Sequence, residues 1–304
     1  MQNRFKHIRN SVWIVAVFLC HLTAFSAGNE GSMFVKCEFN KTEFYAHECV
    51  CATVWLYSED ADIAYVNELV SPSLRKGEFS YLSRLSQSPK AHRENIKGVD
   101  YFVFPLSSYM FTMSNAGKYQ MIDGEFEIGI NVPVVYNDPF YGRIRGVETH
   151  SRRVRMSPSS FKVKSLPPVK EGTPFSGAVG EFEVETIVPK GDIIVNEDAS
   201  LIIVVKGKGL LGSDILPEYR EAFGTGNKLK SFTERTDSFY DGKDIVSEFE
   251  MECEFVPTDI KNCEIGVVRF GYFNPETGKY ETAESQPVKI DVKSSAVKIA
   301  PVYI

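Results

Sequence analysis

The sequence is poor in basic charge. Its 34 lysine and arginine residues are outnumbered by 40 aspartate and glutamate residues, so the net charge is -6 at pH 7. No run of lysine or arginine stands out along the chain. Proteins that bind nucleic acid neutralise its phosphates with clustered basic side chains. We therefore expect no nucleic-acid partner.

Long hydrophobic runs are also scarce, and the one present lies at the N-terminus. Residues 12–20 are apolar and the run continues to residue 25 after His21, which falls short of the ~20 apolar residues that cross a bilayer. Basic residues precede the run, and a small-x-small cleavage site follows it at residues 24–26. This pattern predicts a signal peptide over residues 1–26, with cleavage after Ser26 or Ala27. The alternative is an uncleaved anchor.

Histidine is sparse and dispersed, and recognisable catalytic motifs are missing. His47, His92 and His150 do not have the spacing of a zinc site. Residues 207–212 match G-x-G-x-x-G, but Pro217 follows where a dinucleotide site requires a long helix. We therefore interpret these glycines as a loop between strands, and we expect no enzymatic activity, metal, cofactor or small-molecule substrate.

Cysteines are few and their number after signal cleavage is odd. The mature chain keeps Cys37, Cys49, Cys51, Cys253 and Cys263, so at least one thiol stays free or pairs with another chain. Cys49 and Cys51 are two residues apart and would share one face of a strand, where Cys37 could reach either. Buried small side chains are the first interpretation, and one structural disulfide is the alternative.

Helical periodicity is weak, whereas strand-like runs recur along the mature chain. Residues 73–85 are one weak helical candidate, and residues 217–223 make one short turn at most. Strands are predicted over residues 34–39, 50–57, 101–104, 126–135, 161–164, 181–188, 200–205, 246–255, 265–273 and 287–292. Many short strands with few helices predict an all-β protein built from immunoglobulin-like antiparallel β-sandwiches.

A proline-rich linker over residues 167–174 divides the strands into two pieces of similar size. The predicted organisation is β-sandwich domain 1 over residues 30–166, β-sandwich domain 2 over residues 175–296 and a tail over residues 297–304. The pieces also echo one another, because Tyr136-Asn137-Asp138-Pro139 is followed 136 residues later by Tyr272-Phe273-Asn274-Pro275. Two copies of one β-domain are the simplest explanation.

Several segments of the second piece resemble the BatD family of bacterial oxygen-tolerance proteins. The resemblance is carried by residues 174–182, by the glycine turn at residues 207–210 and by residues 270–280 running into 287–290. Residues 116–119 and 166–167 fit the same family more loosely. Leu210 stands where an asparagine is usual, and the C-terminal transmembrane helix of many members is missing, so the chain looks like a truncated form.

The resemblance implies a periplasmic protein with tandem immunoglobulin-like domains, linked to oxygen and stress tolerance. It implies a non-enzymatic scaffold whose partners are membrane proteins with von Willebrand factor A-type domains, through which the chain would associate with the inner membrane. The alternative is a surface adhesin or carbohydrate-binding module, which exposed loop aromatics such as Tyr141 or Tyr240 would favour. A thiol enzyme using Cys49 and Cys51 is a third possibility.

Loops carry recognition in most β-sandwiches, so two turns of the second piece are our candidate binding loops. Their residues are Gly207, Lys208, Gly209 and Leu210 in the first, and Asn274, Pro275, Gly278 and Lys279 in the second.

Overall fold

The computed structural model describes residues 32–294, except residues 87, 189, 213 and 262. The predicted signal peptide and the tail at residues 297–304 lie outside the described residues. The described chain is all-β, as the sequence predicts, with one short 3₁₀ helix at Arg220–Phe223. No helix in this part of the chain is long and apolar enough to span a membrane.

Ten strands from the first half of the described chain form one hydrogen-bonded sheet. They are β1 (Met33–Phe39), β2 (Glu43–Tyr45), β3 (Val50–Ser58), β4 (Ile63–Leu74), β5 (Tyr81–Arg84), β6 (His92–Ile96), β7 (Val99–Thr112), β8 (Gly117–Asp138), β9 (Gly142–Ser157) and β10 (Ser159–Lys164). Their order is β2-β10-β8-β9-β1-β3-β7-β5, with β4 beside β8 and β6 beside β7. The pairs β1–β9 and β2–β10 are parallel, and the others are antiparallel.

Alternating burial along these strands builds the first hydrophobic core. In β1, the side chains of Met33, Val35 and Cys37 are buried while the residues between them are partly exposed. They share one cluster with side chains of β3, β7, β8, β9 and β10, in which the rings of Phe111 and Phe161 lie 5.4 Å apart. The cluster thus combines side chains from β8 and β10, near one end of the strand order, with side chains from β3 and β7, near the other end. This arrangement is compatible with a β-sandwich.

The second half forms a six-stranded sheet in the order β14-β15-β13-β11-β17-β18, with two small two-stranded sheets beside it. Its strands are β11 (Ala178–Ile187), β12 (Ile193–Ile194), β13 (Ala199–Gly209), β14 (Asn227–Tyr240), β15 (Ile245–Pro257), β16 (Glu264–Ile265), β17 (Arg269–Asn274), β18 (Lys279–Glu284), β19 (Val288–Lys289) and β20 (Val292–Lys293). The buried faces of β11, β13, β15 and β17 meet in a second core that includes Phe249, Phe255 and Phe270.

Strand-free residues 165–177 separate β10 from β11, and no strand pairing among the described residues joins the two larger sheets. The predicted linker falls within this segment. The boundaries of the two proposed domains stay a prediction.

The weak helical candidate over residues 73–85 is wrong. This segment contains the end of β4, an irregular stretch and β5. Leu74 pairs with Met121 and Tyr81 pairs with Thr112, so partners distant in sequence decide the local structure over a weak helical pattern. The short turn expected near residues 217–223 is confirmed as the 3₁₀ helix.

The echoed Pro-containing motifs form the same kind of turn at two hairpin tips. At the β8–β9 tip, Asp138 Oδ1 accepts hydrogen bonds from the backbone N–H groups of Phe140 and Tyr141 at 2.7 and 2.9 Å. At the β17–β18 tip, Asn274 Oδ1 accepts them from the two equivalent positions at 3.0 and 3.3 Å. Gly142 and Gly278 close these turns with φ of 74° and 67°, values that glycine adopts without strain.

Candidate binding surfaces

The β14–β15 turn and the β17–β18 tip of the second half meet the first half around a polar cleft of about 460 Å³. The predicted binding loops contribute Lys208, Gly209, Asn274 and Pro275 to its wall. The structure therefore brings together residues of the two predicted loops, of which Gly209 and Asn274 lie 65 residues apart in the sequence. Gly207, Leu210, Gly278 and Lys279 do not line the cleft. Sequence reasoning missed the other charged groups of the wall, which are Lys41, Glu48, Glu181, Lys243, Asp244 and Glu276.

Gly207, Lys208 and Gly209 are strand residues, which corrects the predicted loop. β13 extends to Gly209 and pairs with β11, so that Gly207 lies opposite Phe182 and Gly209 opposite Gly180. A Cβ atom on Gly207 would overlap the carbonyl oxygen of Glu181, and one on Gly209 would lie 2.8 Å from the Phe182 ring. These glycines therefore let the backbones and the Phe182 ring approach closely. Leu210 begins the loop that follows the strand.

Lys41 bridges the two halves of the chain at this cleft. Its Nζ lies 2.7 Å from Glu48 Oε1 in the first half and 2.8 Å from Glu276 Oε1 in the second. Burial alone would lower the pKa of Lys41, but its hydrogen bonds to the two carboxylates outweigh burial and raise it. The hydrogen bond between Lys41 and Glu276 lowers the pKa of Glu276. Lys41 and Glu276 therefore stay ionised at neutral pH, and Lys41 ties the wall of the cleft together.

The two carboxylates have different environments. Glu48 is 5% exposed, and its second carboxylate oxygen accepts a hydrogen bond from the backbone N–H of Tyr45 at 2.8 Å. The Glu276 side chain is 72% exposed at the hairpin tip. Losing Lys41 would therefore leave a buried charge on one side and a hydrated charge on the other.

Both polar groups of the Asn274 side chain are engaged in hydrogen bonds within the β17–β18 tip. Its side chain is buried, and besides capping the turn it donates from Nδ2 to Glu281 Oε2 at 3.0 Å. Thr277 Oγ1 donates to the other oxygen of Glu281 at 2.6 Å, and these bonds lower the pKa of Glu281. The groups that suggested a binding loop thus hold the turn in shape.

All five described cysteines are free thiols, so the structure contains no disulfide among them. Cys49 and Cys51 pack on the same small cluster, with Met110 and Ile245, while Cys37 faces the first core. Burial raises the pKa of Cys37, Cys51 and Cys253 to about 12 in each case. It also raises the pKa of Cys49 and Cys263. Protonated thiols are poor nucleophiles, so the raised pKa values lower the reactivity of these side chains.

A second candidate surface is the distal part of the β8–β9 hairpin, residues 131–149, which we call the arm. β4 covers β8 only as far as Ile130, and beyond that residue β8 and β9 pair only with each other. At the tip, Phe140 is 91% exposed and Tyr141 is 83% exposed. The turn formed by Asp138 fixes the backbone that presents these two rings.

Both faces of the arm carry apolar side chains. The pairing register places Pro133, Val135 and Val147 on one face and Val134, Tyr136 and Ile144 on the other. Val135 is 54% exposed and Val147 is 63% exposed. Because strands with one buried face normally alternate apolar and polar residues, this pattern differs from that of the neighbouring strands. The apolar character of residues 132–135 is visible in the sequence, but their separation from the core is not.

Of the two loop aromatics named from the sequence, one is exposed. Tyr141 stands in solvent at the arm tip, whereas Tyr240 ends β14 half-buried, with its hydroxyl donating to the carbonyl oxygen of Gly242 at 2.8 Å. Phe140 was missed, and its position after Asp138-Pro139 in a turn is the signal that could have found it.

Comparison with protein-family models finds no match, and comparison with curated proteins finds none either. Among solved structures, the chain is similar to the Yersinia pseudotuberculosis adhesin InvE, with 9% sequence identity and a TM-score of 0.20. The similarity covers 87% of this chain, which spans 62% of the length of that adhesin. A TM-score this low carries no argument about the function of the chain.

Proposed function

We propose that the chain is an exported, non-enzymatic binding protein that serves as an interaction scaffold in the cell envelope. The predicted signal peptide supports export, and the resemblance to BatD supports a periplasmic scaffold linked to oxygen and stress tolerance. The paired charges at the cleft support a structural role for that region, because Lys41, Glu48 and Glu276 satisfy one another across the two halves.

The observation that carries the proposal is the exposed aromatic tip of the arm. Phe140 and Tyr141 leave most of their surface in water, although burying an aromatic side chain is worth about 2 kcal/mol. Phenylalanine and tyrosine that the chain's own core does not use are typical of recognition surfaces. The arm is therefore the docking element of the proposed scaffold.

The test is binding of the labelled mature chain to isolated cell envelopes, followed by sedimentation. Phe140→Ser/Tyr141→Ser should abolish most of the binding. Phe239→Ser is the matched control, because Phe239 is 54% exposed on β14 of the other sheet, and it should bind like the wild type. Equal binding by all three proteins would refute the arm as the docking element.

Cross-linking of the envelope-bound chain tests the scaffold role itself. Mass spectrometry of the cross-linked products should identify membrane proteins with von Willebrand factor A-type domains, the partners that the BatD resemblance implies. Envelope binding without any protein cross-link would contradict a scaffold.

A carbohydrate-binding adhesin is the second candidate function, and exposed Tyr141 is the observation that favours it. Sugar rings stack on exposed aromatic faces, and Tyr141 offers such a face at 83% exposure. Binding on a glycan array that Tyr141→Ala removes would support this function. A negative array with correctly folded protein would exclude it.

A further inference from the structure

We propose that the arm docks on the surface of an anionic membrane, with Phe140 and Tyr141 at the boundary between headgroups and acyl chains and with Arg143 and Arg145 against lipid phosphates. This inference rests on the proposed function, because it names the partner of the same docking element.

The shape of the arm's apolar surface is the first argument. A flat protein surface would cover only one face of a two-stranded ribbon, yet apolar side chains lie on both faces here, Val135 and Val147 on one and Tyr136 and Ile144 on the other. A lipid surface surrounds an inserted tip from all sides. Tyrosine at a membrane interface buries its ring and keeps its hydroxyl hydrated.

The charges of the arm are the second argument. Arg143 and Arg145 are exposed and have no acidic partner within 4.0 Å among the described residues. The two carboxylates of the arm are already engaged, since Asp138 accepts two backbone N–H groups and Glu148 accepts the Tyr136 hydroxyl at 2.6 Å. The pairing register places Arg143 and Arg145 on the face of Val135 and Val147 and places both carboxylates on the opposite face. The charged side chains of that first face are therefore both positive, which suits lipid phosphates.

The reach of the arm is the third argument. From Ile130 to Asp138 the strand extends roughly 26 Å at 3.3 Å per residue. The chain as a whole carries a charge of -6, and an anionic membrane repels it. The Debye length is about 8 Å at physiological salt. An arm of this length therefore keeps the rest of the protein far enough from the membrane for salt to screen most of that repulsion.

Arginines on a strand with a free edge also have a simpler role, which is to discourage edge-to-edge aggregation. β9 pairs with β1 only at Met156 and Ser157, so Arg143 and Arg145 do lie along such an edge. That role explains the arginines but leaves the exposed Phe140 and Tyr141 at the tip unexplained. It also predicts that arginine removal causes self-association without any change in lipid binding.

The experiment is flotation of the mature chain with vesicles of phosphatidylglycerol and phosphatidylethanolamine, and separately with vesicles of phosphatidylcholine alone. We expect binding to the anionic vesicles, weakened by salt, and much less binding to the neutral ones. Phe140→Ser/Tyr141→Ser should weaken binding by more than about tenfold. Arg143→Gln and Arg145→Gln should each weaken it by about fivefold at low salt.

Two matched controls and one insertion probe sharpen the test. Phe239→Ser and Arg235→Gln change the same residue types on β14 of the other sheet and should bind like the wild type. A Phe140→Trp variant should show a blue-shifted emission that brominated lipids quench, whereas buried Trp55 should be unaffected by the lipid.

The outcomes separate this inference from the proposed function. No binding to anionic vesicles, or equal binding by the tip variant, overturns the lipid inference. If the tip variant nevertheless loses binding to whole envelopes, the docking arm stands and its partner is a protein or a glycan of the envelope, which the cross-linking and glycan-array experiments distinguish. If the tip variant binds both vesicles and envelopes normally, both proposals fail.

Discussion

Lys41 provides the sharpest test of how the two halves of the chain are held at the cleft. The perturbation is Lys41→Met, which keeps most of the side-chain volume and removes the charge. It leaves Glu48 buried at 5% exposure with one remaining hydrogen bond, from the backbone N–H of Tyr45. It also leaves Glu276 without its partner, but in water.

The expected cost follows from this asymmetry. Removing one partner of a buried ion pair costs about 3–5 kcal/mol, because the other charge stays buried without compensation. The Lys41 side chain is itself 36% exposed, so solvent weakens the pair and we expect a cost below this range, about 2–3 kcal/mol. Glu276→Gln breaks an exposed pair, which is worth at most about 1 kcal/mol. Lys41→Met removes both ion pairs, whereas Glu276→Gln affects only the exposed one, so the cost of Lys41→Met should be severalfold larger.

Urea unfolding followed by circular dichroism measures both costs. A rescue variant makes the test specific. Lys41→Met/Glu48→Gln also removes the buried carboxylate that has lost its partner, so it should recover part of the lost stability. If Lys41→Met and Glu276→Gln lower the urea midpoint equally, or if Glu48→Gln gives no recovery, the burial of Glu48 is not the source of the cost.

Three further predictions concern Gly207, Cys37 and Glu281. Gly207→Ala should lower the free energy of unfolding by about 2–4 kcal/mol because its Cβ would overlap backbone, whereas Gly212→Ala, which meets only the flexible end of Asp214, should be near neutral in the same urea assay. Buried Cys37, with its pKa near 12, should resist a thiol reagent at pH 8 until urea unfolds the chain, and rapid labelling in native buffer would contradict its placement. The folded-state pKa of Glu281 is lowered, so its stabilising effect is present above its ordinary pKa of 4.5 and is lost as pH falls. Thermal melts should therefore show the wild type more stable than Glu281→Gln at pH 7, with a difference that shrinks below pH 4.5.

Strands that face a core were predictable from the sequence. The predicted strand over residues 50–57 becomes β3 (Val50–Ser58), and that over residues 246–255 becomes β15 (Ile245–Pro257). In β15, apolar residues alternate with glutamates, and this alternation predicts that one face of the strand is buried.

Strands without a buried face were not predictable in the same way. β4 (Ile63–Leu74), β9 (Gly142–Ser157) and β14 (Asn227–Tyr240) are largely exposed and carry no clear alternation. They form because each pairs with a long neighbouring strand, β4 and β9 with β8 and β14 with β15. Pairing across the sheet is a tertiary interaction that a local hydropathy pattern does not contain.

At the cleft too, some residues were predictable from their local sequence and others only from contacts between distant parts of the chain. Turn residues marked Asn274 and Pro275 as a hairpin tip, because Asx-Pro sequences favour turns. Lys41 lies 235 residues from Glu276 in the sequence, and no local pattern distinguishes it from any other exposed lysine. The charged part of the site therefore required the fold.

The two echoed hairpin tips lead to a final prediction, since the same turn chemistry should have different consequences in different surroundings. Asp138→Ala removes two hydrogen bonds to backbone N–H groups that then face water on the exposed arm. We expect faster hydrogen exchange at Phe140 and Tyr141 and little change in the urea midpoint. Asn274→Ala removes the equivalent bonds from a residue that is 6% exposed and also bonded to Glu281, so it should lower the free energy of unfolding by about 2–3 kcal/mol. If Asp138→Ala lowered the midpoint as much as Asn274→Ala, the arm would be packed against the body of the protein, and the exposed docking element inferred from Phe140 and Tyr141 would be wrong.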